Sequence, residues 1–294
     1  MARPPDPLPS HLQGRAFSVR GAGVAPKRLR ASDVWAPAHG IRMPAGVDDM
    51  RAQLRARALR LPDGAVYSHA TAALLWGLPL PHRHAWDGSV HITTPRGVRA
   101  RRGRRVRGHQ CDLPVEDVGR LGDIPATSLG RTFCDLADIL AEAELVAVGD
   151  FIIAGRGLRR AKDELEAALN RHTRRQVTLR RALAMLDARA ESPKESELRV
   201  LLVRSGFGGL ATQVEVREPG GRFVARVDLA IPHLKIAIEY DGDHHRDRAQ
   251  WRRDQQRRRR LEALGWIYIV VTQRDLDDPS QLLADLRAAI RRRA

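Results

Sequence analysis

Two carboxylates stand two residues apart at the end of the mostly apolar segment Lys235–Asp241. If this segment is a β-strand, its side chains alternate between faces, so Glu239 and Asp241 point the same way. Asp228 lies in the apolar run before it, and Glu195 lies on a predicted helix further upstream. Carboxylates crowded at one end of a sheet repel one another unless a cation lies between them. The pattern predicts a Mg²⁺ or Mn²⁺ site formed by Asp228, Glu239 and Asp241, because hard divalent cations prefer oxygen ligands.

The chemistry expected of these acids is phosphodiester hydrolysis. A divalent cation held there can activate water, orient a phosphodiester and stabilise the leaving oxygen. Glu195 completes the acidic set, and His244 and His245, which follow closely, are candidates for proton transfer or phosphate contact. The alternatives are structural: Glu239 or Asp241 pairs with arginines of the following helix, and the two histidines are exposed turn residues.

The charge of the chain points to a polyanionic partner. The formal net charge is +16, and all but four of the 51 Lys and Arg residues are arginine. Nucleic acid is the default partner, since neutralising phosphates releases counterions, although codon bias of a GC-rich genome also favours arginine. The arginines cluster at Arg99–Arg107 and Arg252–Arg260. The predicted phosphate-binding residues are Arg101, Arg102 and Arg104 in the first cluster and Arg252, Arg253 and Arg257 in the second.

Cysteine content and hydropathy indicate a cytoplasmic protein. The only cysteines, Cys111 and Cys134, fit neither a disulfide framework nor a cysteine-rich zinc site. The first ten residues contain four prolines and no apolar stretch, which argues against a signal peptide. The most apolar run, Leu145–Ala154, contains Asp150 and is too short to cross a bilayer. No membrane partner is expected.

The C-terminal third has the element order of an α/β fold. Ser192-Pro193 predicts a helix start, and Pro219-Gly220-Gly221 predicts a hairpin turn. The predicted elements are a helix at Lys194–Ser205, strands at Ala211–Arg217, Arg222–Ile231 and Leu234–Asp241, a basic helix at Asp247–Leu264, a strand at Trp266–Thr272 and a helix at Pro279–Arg293. This order predicts a mixed sheet covered by helices.

The preceding sequence is predicted to form two further regions. Residues 1–48 are interpreted as a leader followed by a degenerate winged helix, with a two-stranded wing in Val34–Met43, or as a structural lid. Residues 49–190 are predicted as an α+β middle domain with a linker, and residues 191–294 as the C-terminal domain. The middle helices are expected at Asp49–Leu61, Ala70–Trp76, Leu129–Leu140, Glu142–Ile153 and Asp163–Asn170, with a strand at Val90–Thr93.

Several motifs of the C-terminal domain are similar to one nuclease family. They are Glu191–Arg199, Arg226-Val-Asp228, Ile238-Glu-Tyr-Asp-Gly-Asp-His-His245 and Asp254–Trp266. Together they resemble the branch of PD-(D/E)XK nucleases related to very-short-patch-repair endonucleases. The resemblance implies a restriction-endonuclease-like αβββαβ core, with Asp228 and Glu239 as metal ligands, Asp241 in place of the motif lysine, and His244 or His245 in proton transfer. Val270 stands where relatives often carry arginine.

The N-terminal region more weakly resembles AbiEi-type antitoxin-like proteins. The segments that carry this resemblance are Phe17–Arg30, Ser68–Pro79 and Ile124–Ala137. It implies an N-terminal winged helix that binds operator DNA, and a partner protein from a defence or toxin–antitoxin locus. Phe17–Gly23 is several residues short for the first helix of such a module.

Three functions follow as competing hypotheses. The first is a Mg²⁺-dependent DNA endonuclease or nickase in repair or defence, which the complete acidic set favours. The second is a non-catalytic DNA-binding regulator on a nuclease scaffold, which the absent lysine and Val270 favour. The third is a structural or partner-binding role in a defence or repair locus. Dependence on a divalent metal separates the first from the second.

Overall fold

The computed structural model describes residues 5–47, 49–100, 102–242 and 248–293, without the side chains of Leu158 and residues 248–252. Contacts between Cα atoms divide the chain into Met1–Leu136 and Ala137–Ala294, named here the N-terminal and C-terminal units. The described residues form ten α-helices and three sheets, two of them mixed. The predicted α/β class is confirmed at this level, while the domain boundaries after residues 48 and 190 stay predictions. No helix among the described residues combines the length and apolar character needed to cross a membrane.

The first part of the N-terminal unit is a small antiparallel sheet. Its strands are β1 (Phe17–Ser18), β2 (Val34–Trp35) and β3 (Ile41–Pro44), in the order β1-β3-β2. The β2–β3 pair matches the predicted wing. The expected winged helix is otherwise not formed, because described residues 5–47 contain 3-10 turns but no α-helix. Gly21 and Gly23, both with positive φ, interrupt the segment where a first helix was expected, since glycine is a poor helix former.

A five-stranded mixed sheet forms the rest of the N-terminal unit. Its strands are β4 (Val66–Tyr67), β5 (Val90–Pro95), β6 (Val106–Cys111), β7 (Val118–Leu121) and β8 (Ile124–Thr127), in the order β6-β5-β4-β8-β7. Its helices are α1 (Met50–Ala58), α2 (His69–Trp76) and α3 (Leu129–Leu136). Helix α1 begins where the Asp49 carboxylate accepts the backbone N–H groups of Arg51 and Ala52, which are otherwise unpaired at a helix start. Strands β5 and β6 are parallel, which places residues 16 apart in the sequence side by side.

The C-terminal unit begins with three helices, α4 (Glu142–Arg156), α5 (Leu158–Arg171) and α6 (Gln176–Ala184). The elements that follow are α7 (Pro193–Arg204), β9 (Ala211–Arg217), β10 (Phe223–Ile231), β11 (Ile236–Tyr240), α8 (Arg248–Ala263), β12 (Ile267–Val271), α9 (Gln273–Asp277) and α10 (Ser280–Arg291). The Ser192 hydroxyl accepts the Glu195 N–H, and Pro193 occupies the first turn of α7, as the sequence predicts.

The sheet of the C-terminal unit has the order β12-β11-β10-β9. Strands β9, β10 and β11 are antiparallel neighbours, and β12 is parallel to β11. One apolar cluster joins Leu198 and Leu202 of α7 and Leu286 of α10 to this sheet. A second cluster joins Leu261 of α8 to Val227 and neighbouring strand residues. The sheet is therefore packed between helices, with Asp228 and Glu239 on its two central strands.

Candidate functional site

Asp228 and Glu239 lie side by side on neighbouring strands. Leu229 pairs with Ile238 in the antiparallel register of β10 and β11. Asp228 precedes Leu229 and Glu239 follows Ile238, so the two carboxylates are opposite each other. The Asp228 Oδ2 atom accepts the backbone N–H of Tyr240 at 3.0 Å. Burial, and then the negative charge of Glu195, raises the pKa of Asp228 to about 6. Asp228 is therefore a carboxylate whose negative charge is poorly compensated, the condition in which a bound cation is most favourable.

Glu195 is buried at the start of α7. Its Oε2 atom accepts the Glu191 backbone N–H at 3.0 Å and the Gln213 side-chain amide at 2.8 Å. These bonds fix the orientation of the carboxylate and help to begin the helix. The fourth predicted acid thus has a structural role at the helix start and also contributes negative charge near Asp228.

Glu239 is buried and already has two donors. The guanidinium of Arg257 on α8 and the hydroxyl of Tyr268 on β12 both donate to it. Arg257 also donates to the backbone carbonyl of Arg226 at 2.8 Å. This is the structural pairing that the sequence left open as an alternative, and it places Arg257 against the acidic residues and away from an exposed phosphate-binding face.

Asp241 follows the end of β11 and is half-buried, with its backbone N–H donated to the Val271 carbonyl at 2.7 Å. In the described part of the chain, the predicted ligands Asp228, Glu239 and Asp241 do not form a group whose ligand atoms all lie within 4.8 Å of one another. His244 and His245 fall outside the described residues. The structure therefore brings together Asp228, Glu239 and Glu195 with Arg257, and leaves the predicted histidines undetermined.

The predicted phosphate-binding arginines lie in both units. Arg102 and Arg104 are exposed in the N-terminal unit, and Arg253 is exposed on α8. Arg101 and the side chain of Arg252 lie outside the described residues. The two exposed arginines of the N-terminal unit stand in a loop between parallel strands, a position from which they can contact a phosphate backbone.

A pocket of about 640 Å³ in the N-terminal unit was not anticipated from the sequence. Arg57, Arg60, Arg104, Arg105 and His39 line it together with apolar side chains, and no carboxylate is among its described lining residues. The Arg57 Nε–H is buried without an acceptor among the described residues. Burial, opposed by Tyr67 and assisted by the charge of Arg105, lowers the pKa of Arg57. A pocket lined by four guanidinium groups and by no carboxylate among its described residues favours an anion.

The sequence interpretation also missed a histidine cluster in the N-terminal unit. His69, His91 and His109 are the one group of three metal-ligating side chains in the described chain whose ligand atoms lie within 4.8 Å of one another. His69 and His91 are buried, and His109 is half-buried. No metal-ligand spacing is visible in the sequence, because the cluster depends on the parallel pairing of β5 with β6. A correct prediction of the register between β5 and β6 would have shown that His91 and His109 lie close together.

Comparison with known proteins places the chain beside two mycobacterial relatives. It is 30% identical over 257 residues to the uncharacterized proteins MT2308 and Rv2248, each from a strain of Mycobacterium tuberculosis, covering 85% of this chain and 89% of each relative. The chain belongs to the family of these proteins. The matched length exceeds either compact unit, so the similarity reaches into both. No family model matches the chain, and no solved structure matches it.

Proposed function

We propose that this protein is a cytoplasmic, divalent-metal-dependent DNA endonuclease or nickase whose hydrolytic site lies in the C-terminal unit. The observation that carries the proposal is Asp228, with its pKa raised to about 6 beside the buried Glu195 and Glu239 adjacent in the strand register. The order α7-β9-β10-β11-α8-β12 is compatible with the PD-(D/E)XK core that the sequence resembles.

The donor set fits Mg²⁺ or Mn²⁺. Asp228, Glu239 and Asp241 offer only carboxylate oxygens, the ligands that these hard cations prefer, and Asp228 lacks an ion-pair partner among the described residues. Such a cation, when bound, lowers the pKa of water and neutralises charge on a phosphodiester. Glu195 maintains the negative field that attracts it. Arg257 and Tyr268, which donate to Glu239, would fix the orientation of that carboxylate beside such a cation.

The test is nicking of supercoiled plasmid by tag-free protein with Mg²⁺ or Mn²⁺, and with EDTA as the metal-free control. We expect Asp228→Asn and Glu239→Gln to reduce cleavage by more than the roughly 10- to 100-fold that loss of an outer-shell group costs at metal sites. Asp285→Asn, an exposed carboxylate on α10, is the matched control and should cut normally. Cleavage by Asp228→Asn at the parent rate would refute the site.

A DNA-binding regulator without catalysis is the second candidate. The arginine-lined pocket around Arg57 supports it, since this pocket needs no metal to bind an anion. Binding of duplex DNA in EDTA, measured for the same variants, separates the two functions. If the parent and both acidic variants bind DNA equally and none cuts supercoiled, mismatched or single-stranded substrates, the regulator is the correct assignment.

A further inference from the structure

Three histidines of the N-terminal unit converge from separate elements. His91 lies on β5 and His109 on β6, where Thr93 pairs with His109, so the two histidines are offset by two residues on parallel strands. The His91 Nδ1 and His109 Nε2 atoms are 3.1 Å apart. His69 is the first residue of α2, and its ring centroid lies 3.8 Å from that of His109 and 5.3 Å from that of His91.

The three rings are stacked, with interplanar angles of 28°, 15° and 13°, and their ligand nitrogens are close enough to share one metal ion. The ligand atoms lie within 4.8 Å of one another, and two nitrogens bound to one tetrahedral ion at about 2.0–2.1 Å are separated by a distance in this range. Three imidazoles this close together, two of them buried, cannot all carry a proton, because like charges repel. Uncharged imidazole is the form that binds metals.

We propose that His69, His91 and His109 bind one divalent transition-metal ion of the Zn²⁺ class. Imidazole nitrogen suits Zn²⁺ and its neighbours in the transition series, whereas Mg²⁺ prefers oxygen. This site is independent of the acidic residues in the C-terminal unit and of the nuclease proposal. Three protein ligands leave a fourth position for water or a small ligand, which is the arrangement of zinc sites that are open to chemistry.

A second layer of polar groups orients His69. Its Nδ1 atom lies 3.0 Å from the Ser68 hydroxyl and 3.9 Å from Asp135 Oδ2. Thr93 donates to the Ser68 hydroxyl at 2.7 Å, and Arg131 holds the other oxygen of Asp135 at 2.8 Å. Hydroxyls and carboxylates that fix the ring of a ligating histidine are a regular feature of metal sites.

The backbone at His69 gives independent support. Its φ is +49°, in the left-handed region that non-glycine residues seldom adopt. Such a conformation persists only where its surroundings impose it, and outliers of this kind concentrate at binding sites. The His69 ring therefore takes its place in the cluster at a conformational cost, and metal coordination would offset that cost.

The test is titration of the tag-free, chelator-treated full chain with Zn²⁺ by isothermal calorimetry near neutral pH. We expect one ion per chain, unaffected by millimolar Mg²⁺. His91→Gln and His109→Gln should weaken binding by at least the roughly 10- to 100-fold known for outer-shell losses. His172→Gln is the matched control, because His172 is a buried histidine of the C-terminal unit, and it should bind normally.

Absorption spectra of bound Co²⁺ provide a second measurement, which remains informative if a glutamine variant folds poorly. The parent should give the intense visible absorption of tetrahedral Co²⁺. His109→Cys keeps a ligand atom and should retain binding, with a new near-ultraviolet thiolate band. Failure of the parent to bind Zn²⁺, or binding that is equal in the parent, His91→Gln and His109→Gln, would overturn the proposal, as would a His109→Cys variant that binds Co²⁺ without the thiolate band.

Discussion

Removal of Arg199 is expected to destabilise the C-terminal unit strongly. Asp150 on α4 is 1% exposed, and its carboxylate accepts hydrogen bonds from the Asp187 N–H, the Ser196 hydroxyl and Arg199 Nη2, each at 2.7 Å. Burial raises the pKa of Asp150, and Arg199 opposes this effect most. Arg199→Met therefore leaves a buried negative charge with two neutral donors.

The expected cost follows from the burial of both partners. Breaking a buried ion pair by removing one partner costs about 3–5 kcal/mol, and the Arg199 side chain is 10% exposed. Asp150→Asn added to Arg199→Met removes the stranded charge and keeps an acceptor, so only lost hydrogen bonds at about 1–3 kcal/mol remain. The second substitution should therefore restore about 2 kcal/mol, the difference between these ranges.

The pH dependence gives the same test a second readout. A carboxyl whose pKa is raised on folding binds its proton more tightly in the folded state. Its favourable contribution to stability is present below the pKa of the unfolded state and is lost as the pH rises through the pKa of the folded state. Arg199→Met should consequently gain stability relative to the double variant, whose residue 150 does not titrate, as the pH is lowered from neutral.

Urea unfolding followed by far-ultraviolet circular dichroism measures both effects. The reasoning fails if Arg199→Met costs less than about 1 kcal/mol, the value of an exposed ion pair, or if Asp150→Asn does not rescue it. Either result would mean that water reaches the Asp150–Arg199 pair.

Two further predictions concern ionic groups of each unit. Burial alone would raise the pKa of Asp187, but hydrogen bonds led by the Arg189 side chain outweigh it and lower the pKa to about 2. Stability of about 2 kcal/mol is thus present above pH 4 and is lost as the pH falls through the folded-state pKa. Urea unfolding should show that Asp187→Asn loses this stability at pH 7 and loses about half as much at pH 3. In the N-terminal unit, Arg131 forms ion pairs with Asp135 and Asp117 at 2.8 and 3.0 Å and is nearly buried, so Arg131→Met should cost at least about 3–5 kcal/mol. Arg55→Met, which breaks an exposed pair, should cost no more than about 1 kcal/mol; equal costs for the two arginine variants would contradict this account.

Elements with strong local signals were predictable from the sequence. The turn at Pro219–Gly221 joins antiparallel strands as expected, and Ser192-Pro193 starts α7. The basic helix, expected at Asp247–Leu264, is observed at Arg248–Ala263. Proline, glycine and capping residues determine such boundaries within a few positions, so no knowledge of distant contacts is needed.

Features that depend on distant contacts were not predictable. The pairing of Glu239 with Arg257 and Tyr268 requires α8 and β12 to be placed against β11, and periodicity does not specify this placement. The histidine cluster depends on the register of β5 and β6, and a shift of one residue would turn one histidine to the other face. The winged helix was expected from a family resemblance, although the local glycines already disfavoured its first helix.

The edge position of β12 has a consequence for how the chain folds. Strands β9, β10 and β11 are consecutive neighbours, whereas β12 reaches its parallel partner only after the whole of α8. Closing this longer loop delays the last pairing. During that delay Ile267–Val271 exposes five uncharged β-branched or aromatic residues, a composition that promotes cross-β aggregation. The arginines of α8 precede this segment directly, and their mutual repulsion between chains counteracts aggregation until the sheet is complete.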